Sequence, residues 1–189
     1  MKIGKNHKLE GAVWHSTVYC SERPLGGVPE LIVLHCISLP EGRYGAELPI
    51  QLFTGDLDIN ADPSFADLEG VQVSPHLLID RLGGVHQFVG FDQQAWHAGT
   101  SSWMGRPGCN GYSIGIELEG CVSEGYEDVQ YSALQQVLIS LLLHYERLSV
   151  GNIVGHAEIA PMRKVDPGPY FNWSRVLHTL HSSFHSTFP

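Results

Sequence analysis

The chain has 189 residues, 43% of them hydrophobic and 16% charged, with a formal net charge of −9 and a pI near 5.6. This balance suits one globular domain around one core and excludes a fibrous or disordered chain. An acidic surface repels phosphate backbones, which argues against a nucleic-acid partner.

The opening segment MKIGKNHKLEGAVWH carries basic residues but lacks the apolar stretch of a secretory signal. Next, LIVLHC (Leu31 to Cys36) is short, apolar and β-branched, bounded by Pro29 and a later Pro/Gly stretch. It predicts a buried strand ending at His35. From Ser38 to Gly70 the chain is rich in Pro, Gly and Asp, and only Glu47 to Phe53 looks helical. So long a stretch with so little regular structure is often functional. In HLLIDRLGGVHQFV (His76 to Val89), two β-rich runs flank Gly83-Gly84, which predicts a hairpin. Asp92 to Gly111 is loop-like and contains Trp96, Trp103 and several glycines.

SIGIELEG (Ser113 to Gly120) alternates as a strand does. Ile114, Ile116 and Leu118 share one face, and Gly115, Glu117 and Glu119 share the other. From Asp128 to Leu148, apolar residues at steps of three and four mark a long amphipathic helix. Its apolar run, Val137 to Leu143, is too short to span a bilayer. With no export signal either, the expectation is a soluble, cytoplasmic protein without a membrane partner. IVGH (Ile153 to His156) predicts a short strand. A loop with Pro161, Pro167, Gly168 and Pro169 follows, and a C-terminal helix starts near Asn172. The whole reads as a mixed α/β fold, one domain over 1–189, with a major helix packed on a sheet and no dividing linker.

Cys20, Cys36, Cys109 and Cys121 lack CxxC spacing and, without export, read as reduced thiols. Eleven histidines are many for this length and suggest a metal site without locating it. A catalytic zinc takes three protein ligands and leaves a fourth position for water. His35 and His156 at strand ends, with Asp166 in a DPG turn, form a suitable set. No HExxH-like signature accompanies them, so a hydrogen-bonded structural role for each histidine, and a turn role for Asp166, stay open. Glu117 avoids the core face; either a pocket covers it, where an unpaired carboxylate is costly, or it is solvated. His178, His181 and His185 fall on one helical face, where exposed histidines are the usual case.

Four stretches then carry a resemblance: LHCISLPEGRYG (34–45), VSPHLLIDRLGGVHQFVGFDQQAWHAG (73–99), GRPGCNGYSIGIELEG (105–120) and GHAEIAPMRKVDPGP (155–169). In this order they resemble the AmpD-type N-acetylmuramoyl-L-alanine amidases, from about Leu31 to Trp173. The resemblance implies the amidase/peptidoglycan-recognition fold, a central mixed sheet flanked by helices. It implies one Zn2+ held by His35, His156 and Asp166, with Glu117 and Lys164 catalytic. The reaction implied is zinc-dependent hydrolysis of the amide between N-acetylmuramic acid, preferably the 1,6-anhydro form, and L-alanine of wall peptides, in peptidoglycan recycling. The partner is then a small-molecule muropeptide, with no obligate protein partner.

Around this set, His97 is a candidate contact to substrate or the reacting carbonyl, and Trp96 a stacking surface for sugar or peptide. Arg106 and Arg163 are candidate clamps for the peptide carboxylate, which guanidinium matches bidentately. Core packing for Trp96 and solvated cations for the arginines are the alternatives. His76 reads as a local structural residue. Two positions depart from the family pattern: Cys36 stands where Asn is expected, and Gln72 where Arg is frequent. A zinc-free peptidoglycan-binding module and a phage-type lytic amidase acting on intact wall remain the rival readings.

Overall fold

The runs Leu31–Ile37 and Ser113–Glu119 are buried on both faces along most of their length, as suits strands covered on both sides. They pair in parallel at the centre of the sheet, in register from Leu31–Ser113 through Ile37–Glu119. The computed structural model describes residues 1–24 and 26–185. In chain order its strands are β1 (Val13–Trp14), β2 (Cys20–Glu22), β3 (Leu31–Ile37), β4 (Leu77–Ile79), β5 (Val85–Gln87), β6 (Gln93–Ala95), β7 (Ser102–Trp103), β8 (Arg106–Pro107), β9 (Ser113–Glu119) and β10 (Ile153–Gly155). The helices are α1 (Glu47–Thr54), α2 (Asp128–His144), α3 (His156–Ile159) and α4 (Trp173–His185), with a 3-10 turn over Pro63–Leu68.

Six strands form one mixed sheet in the order β1-β5-β4-β9-β3-β10. Only the β4–β5 hairpin, turning at Gly83-Gly84 as expected, is antiparallel within it. Ile32, Leu34, Ile114, Ile116 and Leu118 pack with Leu134, Val137, Leu138 and Leu141 of α2 and Val176 and Leu180 of α4. On the opposite face, Leu31 and Val33 lie with Ala98, Cys109 and Tyr112. That face also presents His35 and Glu117, which are register partners on adjacent strands. Among the described residues no helix is long and apolar enough to cross a membrane.

Three boundaries differ from the sequence reading. β3 runs two residues beyond His35, because Ile37 still pairs with Glu119. His156 opens α3 instead of closing β10. α2 stops at His144, where Tyr145 turns extended at φ −112° and ψ 103°, although Leu148 stays in the same core. The short strands β1, β2, β6, β7 and β8 carry no periodic signal long enough to be read in advance.

Glu119 ties several of these elements together. Its side chain is only 1% exposed and accepts from the N–H groups of Gly45 (2.5 Å) and Ala46 (2.6 Å), at the start of α1, and of Arg81 (2.9 Å), in the β4–β5 turn. A carboxylate at a helix N-terminus also meets the positive end of the helix dipole. Gln130 of α2 donates to the Glu119 carbonyl at 2.9 Å, so the helix joins the same junction. Glu119→Ala should cost about 2–4 kcal/mol, the scale of stranding several buried donors. Urea unfolding measures this, and a loss below about 1 kcal/mol would mean that water replaces the carboxylate without penalty.

Candidate metal centre

The site sits where β3, α3 and the loop after α3 meet. His35 comes from β3, His156 from the first residue of α3, and Asp166 from the loop ten residues on. Both histidines are buried, at 2% and 3% exposure. Their Nδ1 atoms are 2.9 Å apart, and Asp166 Oδ2 is 3.2 Å from that of His35 and 3.1 Å from that of His156. Among the described residues this is the group able to hold a metal ion.

The donor chemistry can be tested against a cation. His156 Nε2 faces the Ala98 carbonyl at 3.2 Å, and a carbonyl can only accept. A neutral His156 therefore keeps its proton on Nε2 and turns a bare Nδ1 lone pair toward His35 and a carboxylate oxygen. If His35 is likewise bare at Nδ1, three electron-rich atoms converge in a buried place, which is costly unless a positive charge lies among them. A tetrahedral centre with bonds of about 2.0–2.1 Å sets its ligand atoms about 3.3 Å apart. The observed separations are close to that value, so the residues fit a zinc-sized ion.

Burial and close contacts also shift the titration of this group. Burial, then the neighbouring His156, push His35 down to about 4 against the pull of Asp166, so its ring is neutral near pH 7. For Asp166, burial acts to raise the pKa. The contacts with His156 and His35 outweigh it and hold the carboxyl well below the usual range.

His35 and His156, but not Asp166, line a cavity of about 320 Å³. Its polar end holds His35, His97, Glu117, His156 and Lys164, and its wall is apolar, including Leu39, Leu52, Phe53 and Val73. Glu117 Oε2 is buried without a hydrogen-bond partner. Burial, then Asp166, raise the Glu117 carboxyl well above its ordinary value, with Lys164 opposing. Lys164 is otherwise exposed and borders both this cavity and a neighbouring one of about 360 Å³.

Other sequence-derived candidates fall at varying distances from this centre. His97 lies within it: Nδ1 is 2.9 Å from His35 Nε2, and Nε2 is 3.0 Å from Ser113 Oγ. Arg163 lines the neighbouring cavity, but its Nη2 donates to the Ala98 (2.8 Å) and Thr100 (2.9 Å) carbonyls. Trp96 donates from Nε1 to Ser21 Oγ at 3.2 Å and leans on Tyr19, which ties it to β2. Arg106 is not brought to the site: it lines a separate depression, paired with Glu30 at 2.8 Å and stacked over Tyr112. Gln72 lines another hollow, with Tyr19 and Gly55.

His76 accepts from the Gly115 N–H at Nδ1 and meets the Gln93 carbonyl at Nε2, both at 3.0 Å, a structural role. Cys36 borders both cavities, and burial holds its thiol up to about 12. The four cysteines are free. His178 and His181 are exposed on α4, and the side chain of His185 lies outside the described residues. Ser113 and Gly115 were not singled out in the sequence; the signal for Gly115 was its place on the Glu117 face of the strand alternation.

Known proteins match this arrangement closely. The N-acetylmuramoyl-L-alanine amidase family model (Amidase_2) matches residues 25–169. The 1,6-anhydro-N-acetylmuramyl-L-alanine amidase AmpD of Citrobacter freundii is 47% identical over 163 residues, covering 86% of this chain and 87% of that protein. The crystal structure of a selenomethionine derivative of AmpD superposes with a TM-score of 0.90 at 44% identity, covering 93% of this chain and 97% of the other. AmiD from E. coli, solved with anhydro-N-acetylmuramic acid-L-Ala-D-γ-Glu-L-Lys, gives a TM-score of 0.59 at 30% identity, covering 84% of this chain and 60% of its own. A fold that brings two histidines and an unpartnered glutamate to one cavity, with an aspartate against both histidines, together with a family match across most of the sequence, leads to one conclusion: this chain belongs to the N-acetylmuramoyl-L-alanine amidase family.

Proposed function

We propose that this chain hydrolyses the amide bond between N-acetylmuramic acid, preferably in its 1,6-anhydro form, and L-alanine of a cell-wall peptide. The setting is cytoplasmic peptidoglycan recycling, and residues 1–189 act as one catalytic domain. The observation that carries the reading is the convergence of His35, His156 and Asp166, with the unpartnered Glu117 carboxyl sharing a cavity with the two histidines. The substrate named for the C. freundii relative, and the anhydro-muropeptide bound to AmiD, support the choice of substrate.

In this reading His35, His156 and Asp166 hold Zn2+. When bound, zinc supplies Lewis acidity that polarises the scissile carbonyl and makes a nearby water more acidic. Glu117 then acts as general base. Its Oε2 has no competing partner, so it is free to take the proton of the attacking water as the new C–O bond forms. As the C–N bond breaks, Glu117 returns that proton to the departing amine of L-alanine. Lys164, at the rim of the same cavity, stabilises the negative charge that develops on the carbonyl oxygen. The apolar wall limits the access of bulk water and strengthens both interactions.

Four outcomes test this reading. Purified protein should carry one zinc per chain by atomic spectroscopy and lose activity to a chelator; a chain that binds no zinc would favour the binding-module reading. Glu117→Gln should retain zinc while turnover falls by about 10²–10⁴, and near-normal turnover in the metal-loaded variant would assign the base elsewhere. Lys164→Ala should lower the single-turnover rate at saturating substrate by about 10²–10³ with zinc content unchanged. If instead only binding weakens and the saturated rate holds, Lys164 serves the ground state and leaves the catalytic set. Soluble anhydro-muropeptide should be cleaved in preference to intact sacculi; the reverse preference would indicate a lytic enzyme.

A further inference from the structure

We propose that His97 is a positioning residue for the metal ligand His35, and that His97 and Ala98 together form the outer support of both histidine ligands. This rests on the proposed function, since it concerns how that centre is held.

The argument begins with hydrogen-bonding capacity. An imidazole has two ring nitrogens, and both of those in His97 are occupied, by His35 Nε2 at 2.9 Å and by Ser113 Oγ at 3.0 Å. No polar atom of the ring is left to reach a substrate or a reacting carbonyl. The proton positions follow from the ligand. If His35 turns its Nδ1 lone pair to the metal, its single proton lies on Nε2 and is donated to His97 Nδ1. The proton of a neutral His97 then lies on Nε2 and is donated to Ser113 Oγ. One chain of hydrogen bonds therefore accommodates that tautomer of His35 from outside the site. Ligating histidines depend on such outer partners for orientation and basicity.

The ring is also held mechanically. It meets the His35 ring edge-on, with centroids 5.0 Å apart and planes at 85°. Its other side rests on the backbone of β9 at Gly115. A Cβ at that position would lie 2.4 Å from His97 Cγ and 2.5 Å from its Nδ1, so only glycine leaves room for the ring. The supporting backbone is fixed in turn: Asn110 Oδ1 accepts from the N–H groups of both His97 (3.1 Å) and Ala98 (2.8 Å). Ala98 supplies the carbonyl that meets His156 Nε2 at 3.2 Å. Two consecutive residues thus orient the two histidine ligands, one through a side chain and one through a carbonyl.

The test is zinc affinity of the full-length chain, measured by competition with a chromogenic chelator, beside steady-state kinetics. His97→Ala should weaken zinc binding by about 10–100-fold, the usual loss when an outer partner of a ligand is removed. His97→Asn, whose Oδ1 can stand near the position of the lost Nδ1, should recover most of the affinity. Ser113→Ala is a milder change that keeps the ring, and it covers the case in which His97→Ala does not fold. It should weaken zinc binding severalfold. In the zinc-loaded wild type, 15N NMR of the imidazoles should show His97 protonated at Nε2 and bare at Nδ1. Unchanged zinc affinity in His97→Ala with a raised KM would make His97 a substrate contact and overturn the inference, as would a proton on Nδ1. Failure of the wild type to bind zinc would overturn the proposed function, and this inference with it; tight wild-type binding with an indifferent His97→Ala overturns this inference alone.

Discussion

The constraint on which the site depends is the parallel pairing of β3 with β9. Because side chains alternate along a strand, the register that buries Ile32 and Leu34 against α2 also sets His35 beside Glu117 on the other face. A slip of one residue would send His35 into the hydrophobic layer and expose its apolar neighbours to the cavity. Burial of the apolar residues thus fixes the geometry of the polar ones. His35 and Glu117 stand on the two longest strands of the sheet, both largely buried.

A second layer converts that placement into chemistry. The proposed ligands come from strand, helix and loop, and the far ring nitrogen of each histidine is met by a neighbour: the Ala98 carbonyl at His156, the His97 ring at His35. Glu117 is treated in the opposite way. It is buried without a partner for Oε2, which leaves its proton affinity high and its oxygen free. Glu119, two residues on, is also enclosed, yet its carboxylate is occupied by backbone donors. The same side chain on the same face of one strand is structural at one position and reactive in character at the other, and hydrogen-bond occupancy makes the difference.

Much of this was legible in the sequence, and the reasons are physical. β3, β9, the β4–β5 hairpin and α2 have periodic runs long enough to declare their type. The alternation in SIGIELEG by itself separates Glu117 from the core face. What could not be read depends on contacts between distant segments. That His35, His156 and Asp166 converge is a property of the folded sheet and the loop after α3. Arg106 looked available for a substrate, but the β7–β8 hairpin carries it to Glu30, a residue far away in the chain. The engagement of both His97 nitrogens needed Ser113 and His35 to be adjacent in space, which no local pattern announces.

The origin of the three donor atoms has a thermodynamic consequence. His35 and His156 are 121 residues apart in the chain, and Asp166 lies 10 beyond. Nothing in an unfolded chain holds these groups within reach of one another, so a cation bound by all three recognises the folded state alone. Its binding free energy is then added to the free energy of folding. The apparent stability of the molecule becomes a function of the free concentration of that cation. Once the site is near saturation, each further tenfold rise adds about 1.4 kcal/mol.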